Sequence, residues 1–252
     1  GVGLATARAI LRLWVGISPE RSGVFSAGNG PAMRAPIIGA ATDDVQALRP
    51  LVRASTRLTH TDEKAEFGAL AAALAAHMAS RQALPVAGAD FLAQLKTLLA
   101  GEGGEFVALI EAAVQSASRG QTVAEFAAAL GLARGVSGYM LHTLPVVIHA
   151  WLTHQGDFRA AIVAIVECGG DTDSTAAILG GIVGAACGPA GIAADWQGAL
   201  LEWPRSIRWM ERLGSALALA PVAGGKQRAP ELFLPLVLMR NVFFLGVVLF
   251  HG

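Results

Sequence analysis

Asp171, Asp173 and Ser174 set two carboxylates and a hydroxyl side by side, directly after Gly169-Gly170. Carboxylate and hydroxyl oxygens are the ligands that Mg2+, Mn2+ and Ca2+ prefer. An Asp-x-Asp-Ser run can turn three such oxygens toward one ion. The same residue types also open helices: their oxygens accept the unpaired N–H groups of a first turn, and their charge suits the positive end of the helix dipole. An apolar, glycine-spaced stretch, Ala176 to Ala185, follows at once. Taken alone, the run fits both a cation site and an acidic helix N-cap.

Other stretches carry weaker signals. Ser26-Ala27-Gly28-Asn29-Gly30 surrounds one amide side chain with small residues. Glycines let a ligand approach the backbone, and successive N–H groups can face an anion; a plain turn uses the same residues. Leu58-Thr59-His60 stands just before a helix start, where a histidine serves structure or a site. Met33 and Arg34 are expected to anchor the loop before them. Thr42-Asp43-Asp44 imitates an acidic site but reads as the cap of the helix after it. His142 and His149 share one helix face without His-x-x-x-His spacing, which fits core or supporting residues rather than zinc ligands. None of these residues is singled out as a catalytic group.

These residues need elements to hold them. Helical periodicity is expected over 4–14, 31–40, 44–56, from Thr61 or Asp62 to Met78, briefly after Gly88, then over 105–117, 122–130, 139–151, 158–167 and 205–219. Pro145 falls inside one of them and predicts a kink. Gly131 to Gly138 reads as a loop. Gly180, Gly181 and Gly184 would let the helix after the acidic run pack closely. No strand alternation persists, so the expected fold is all-α: a compact multi-helix single domain over 1–252.

Composition narrows the function classes. The chain of 252 residues is 54% hydrophobic and 15% charged, with a mean hydropathy of +0.52, which excludes a disordered chain. With 19 basic and 19 acidic residues the net charge is zero, leaving no excess to hold a nucleic-acid backbone. Cys168 and Cys187 form neither a Cys-x-x-Cys pair nor a disulfide framework, as suits a reducing cytoplasm. Leu232 to Phe250 nears the length of a membrane span, but Arg240-Asn241 sits at its middle; each such charge costs about 2.5–3.5 kcal/mol there, and a buried core helix is the expectation. The chain begins without Met, at Gly1-Val2-Gly3, within what reads as a helix, and is expected to be N-terminally incomplete.

Gly170-Asp171-Thr172-Asp173-Ser174 with its Ala/Gly-rich helix resembles the C-terminal signature of the ADP-ribosylglycohydrolase family. Gly28-Asn29-Gly30-Pro31-Ala32-Met33-Arg34 is similar to that family's Gly-Asn-Gly-x-Ala-Met-Arg loop, and Leu58-Thr59-His60 to its Leu-Thr-His. The matches come in the family's order over nearly the whole chain. The resemblance implies an all-α fold and metal-dependent hydrolysis of the glycosidic bond joining ADP-ribose to a protein side chain or small carrier. It implies Asp171, Asp173 and Ser174 as metal ligands, Ser174 standing where Thr is usual. It implies Ser26, Gly28, Asn29, Gly30 and His60 as the ADP-ribose-binding set. The family holds two Mg2+ or Mn2+ ions between this cluster and an upstream Thr-Asp-Asp run with no counterpart here; Thr42-Asp43-Asp44 lies on the wrong side of the Gly-Asn-Gly loop. Two carboxylates offset one ion better than two. The alternative is a relative that binds ADP-ribose without turnover.

Overall fold

The computed structural model describes residues 3–219 and 228–251. They form two compact units, Gly1–Ile192 and Ala193–Gly252. In the first, α1 (Leu4–Trp14), α2 (Pro19–Ser22), α3 (Gly30–Ala41), α4 (Leu48–Arg57), α5 (Glu63–Arg81), α6 (Gly88–Leu99), α7 (Gly104–Ser118), α8 (Val123–Ala129), α9 (Met140–Thr153), α10 (Phe158–Glu167) and α11 (Thr172–Cys187) follow one another. The second holds α12 (Ala194–Ala199), α13 (Ile207–Leu219) and α14 (Leu234–His251). The fold is all-α, with no strand among the described residues. The expectation that Gly1 and Val2 are helical lies outside those residues.

The first unit is built round α5. Every residue from Ala65 to Ala79 is buried, because alanine forms helix well and leaves room for neighbours on every side. Asp62 starts the helix by accepting the Lys64 N–H at 2.9 Å. α3, α4, α9 and α11 pack against it. At Gly39 of α3 the contact is so close that a Cβ would stand 1.9 Å from the Ala73 carbonyl oxygen. α9 runs as one helix across Pro145 and is buried from Thr143 to Trp151. α11 uses its glycines as expected: Gly181 sits against the Pro36 ring, and Gly180 and Gly184 against Phe158.

The second unit differs from expectation. α14 spans the apolar stretch, but it is not a buried core helix: Leu238, Val242 and Leu249 are 65%, 72% and 73% exposed. Apolar composition gives a helix a face to bury but no partner for it. Arg240 pairs with Glu202 at 2.6 Å and lies 4.7 Å from the Phe244 ring centroid, so the charge inside the apolar run is answered within the unit. Among the described residues, no helix is long and apolar enough to cross a membrane.

Candidate functional site

One cleft in the first unit, of about 780 Å³, is lined by Ser26, Gly28, Asn29, Gly30, His60, Asp171, Asp173 and Ser174, together with Gly138 and the start of α1. All eight residues singled out from sequence therefore meet, although they come from three distant segments.

Asp171 stands at the N-cap position of α11, but its carboxylate accepts none of the first-turn N–H groups. Its Oδ2 accepts instead from the Asn29 side-chain amide at 2.8 Å. Asp173 Oδ1 accepts the Ser174 N–H at 3.0 Å. Two adjacent carboxylates and the buried Ser174 hydroxyl thus face one space. Glu167, four residues before Asp171, lines a different cavity beside His154.

The glycine loop is fixed from below. His60 is 2% exposed, with Nε2 and Cε1 each 3.2 Å from where a Cβ on Gly28 and on Gly30 would stand. Nothing larger than glycine fits either place without moving the ring. Its Nδ1 is 2.8 Å from Thr59 Oγ1, which already accepts from Arg34 at 2.7 Å. Thr59 Oγ1 thus links the ring to the Arg34 guanidinium. Burial, then the Arg34 charge, push the His60 pKa down to about 4, against the pull of Asp62. Arg34 also donates to the carbonyls of Gly30 and Ser55, so it anchors the loop as expected. Met33 instead is 44% exposed and lines the cleft.

Sequence reasoning missed the part that assembles the site. Three consecutive carbonyls of the 131–138 loop each take a bond from a different site element. Val136 accepts from Asp171 N at 2.7 Å, and Gly138 from Asn29 N at 3.0 Å. Between them, Ser137 accepts from Thr143 Oγ1 at 2.9 Å. The Val136 N–H returns a bond to Gly169 at 3.1 Å. Such backbone acceptors leave no mark on side-chain identity; the only available signal was the glycine spacing, with Gly135 and Gly170 close enough to bring backbone against backbone. Thr42-Asp43-Asp44 lies outside the cleft lining: Asp44 caps the short turn after it, and Asp43 pairs with Arg81 at 2.8 Å.

A family model described as ADP-ribosylglycohydrolase matches residues 1–227. Among curated proteins, ADP-ribosylhydrolase ARH3 of Gallus gallus is 26% identical over 78% of this chain and 62% of its own length. An uncharacterized protein of Archaeoglobus fulgidus is 29% identical over 73% of this chain and 57% of its own. The chain therefore spans about 60% of the length of these relatives. A solved structure titled ADP-ribosylglycohydrolase-related protein complex superposes with a TM-score of 0.59 at 27% identity, over 86% of this chain and 68% of the other.

Proposed function

Because the chain belongs to the ADP-ribosylglycohydrolase family, we propose that its cleft binds ADP-ribose, free or joined to a protein side chain or small carrier, and hydrolyses the glycosidic bond to the carrier with the help of a divalent cation. The observation that carries this reading is the 2.8 Å bond from Asn29 to Asp171, which ties the glycine loop to the acidic run. Asp171, Asp173 and Ser174 would hold the ion. Their oxygens suit Mg2+ or Mn2+, and the Asp171 carboxylate is not used up in capping the helix it precedes. When bound, the ion would orient ribose hydroxyls and water and offset developing charge.

The chain's own residues do the rest. Asn29 holds Asp171 in one orientation. Ser26, Gly28 and Gly30 form a wall of small residues at which a nucleotide can reach the backbone. His60 supports that wall from behind as a neutral, buried ring, a positioning role rather than a proton-transfer one. Cys168 and Cys187, both unpaired, fit the same activity in a reducing cytoplasm.

The acid count favours a second reading. Among the described residues the cleft carries two carboxylates, which offset one divalent ion. A cleft that holds ADP-ribose with one weakly bound ion and little turnover is the alternative. Calorimetric titration of ADP-ribose, Mg2+ and Mn2+ into the chain, with release of ADP-ribose from a modified peptide, separates the two. Binding of ADP-ribose and one cation, lost in Asp171→Ala, with slow release, is the expected result. Binding with no release at all assigns the non-catalytic reading. Absence of ADP-ribose binding overturns both.

A further inference from the structure

The Asp171 carboxylate is held by Asn29, and Asn29 is held in turn by a residue outside the family-like motifs. The Asn29 Nδ2 group has two protons. One goes to Asp171 Oδ2 at 2.8 Å and the other to Thr143 Oγ1 at 3.1 Å. Thr143 is fully buried on α9, and its own proton goes to the Ser137 carbonyl at 2.9 Å. That carbonyl can only accept, so the direction of every bond is fixed. Ser137 takes the Thr143 proton, Thr143 takes one Asn29 proton, and Asp171 takes the other. With its amide turned over, Asn29 would set Oδ1 against the Asp171 carboxylate, two acceptors with no proton between them.

We infer that Thr143 is a positioning residue of the cleft: its hydroxyl locks the Asn29 amide in the orientation that aims the Asp171 carboxylate at the ligand space. The lock leaves Asn29 Oδ1 as that side chain's one acceptor without a partner among the described residues, so it can take a hydroxyl donor such as one from a sugar. Thr143 touches no ligand in this scheme and acts only through Asn29. Carboxylate ligands depend on such outer partners for their direction, and removing one typically lowers metal affinity about 10–100-fold. The functional half of this inference rests on the reading of Asp171 as a cation ligand.

The test compares Thr143→Val, which keeps the shape and loses the hydroxyl, with Thr143→Ser, which restores it. Two quantities are read well below the melting temperature: Mn2+ affinity by calorimetry, and solvent exchange of the two Asn29 side-chain amide protons by NMR. In Thr143→Val we expect Mn2+ affinity to fall about tenfold and one Asn29 amide proton to exchange faster, while Thr143→Ser keeps both near the parent values. Unchanged amide exchange in Thr143→Val, or equal losses in the valine and serine variants, would overturn the inference. If the valine variant does not fold, Thr143→Ala against Thr143→Ser decides in the same way. The amide readout needs no metal. If Asp171→Ala leaves Mn2+ binding intact, the cation reading fails while the Thr143 lock is still judged by exchange.

Discussion

Gly138 faces the carboxylate of Asp171 so closely that a Cβ there would stand 2.8 Å from Oδ2. The loop thus limits where that carboxylate can go, as does the bond that the same oxygen takes from Asn29. Gly138→Ala is expected to push the carboxylate aside at little cost to the fold, since its far end can swing away, while lowering Mn2+ affinity about tenfold. Gly170→Ala should do the opposite. Its φ is +81°, and a Cβ there would stand 2.2 Å from the Val136 carbonyl oxygen, which is backbone. That variant should lose at least ~2 kcal/mol of stability. Urea midpoints and cation titrations on the pair separate the two effects; equal loss of stability in both would contradict the assignment.

Asn29→Ala removes the donor that orients Asp171, and Asn29→Asp replaces it with a like charge. Both should weaken Mn2+ and ADP-ribose binding, by about 10–100-fold for alanine and more for aspartate, because a carboxylate facing Asp171 adds repulsion to the lost bond. Calorimetry on both variants checks the order. If aspartate bound the cation more tightly than asparagine, residue 29 would be a ligand rather than a support.

Acid should destabilise the fold through two buried histidines. His60 and His149 are both pushed down to about 4, each chiefly by burial, with Arg34 adding to the first and His154 to the second. The folded state therefore prefers the neutral rings, while the unfolded chain takes up protons near 6.5. Their contribution is complete above pH 6.5 and is lost as the pH falls toward 4. Allowing for relaxation and water entry on protonation, each is worth about 1–2 kcal/mol over that window. Urea midpoints at several pH values should fall accordingly, with a smaller slope in His149→Gln. Equal slopes would remove His149 from the account.

Asp43→Ala should leave cation affinity unchanged. Its partner is Arg81 at 2.8 Å, and the Asp43 side chain is 86% exposed, so the pair should contribute no more than about 1 kcal/mol. An affinity loss matching that of Asp171→Ala would make the Thr42-Asp43-Asp44 run part of the site.

Much of the first unit was legible because its signals are local. α1 begins and ends where the amphipathic pattern does, at Leu4 and Trp14, and of the two expected starts of α5, Thr61 and Asp62, it is Asp62 that caps the helix. The convergence of Asn29, His60 and Asp171 was readable only as motifs of a shared type. What joins them was not: Thr143 lies 114 residues from Asn29, and the carbonyls of Val136, Ser137 and Gly138 carry no side-chain signature. α14 was misread for a related reason, since an apolar run states its hydrophobicity but not whether another element comes to cover it.

The row of carbonyls from Val136 to Gly138 has a consequence for motion. The Asp171 and Asn29 amides bond to it directly, and the Val136 amide bonds back to Gly169; none of these bonds closes within a helix of its own. Lifting the row from its neighbours would release the acidic run, the glycine loop and the α9 entry together. These amides should therefore share one opening event and one free energy of hydrogen exchange, distinct from the core of α5. A ligand bridging any two of these segments would slow exchange in the third without touching it.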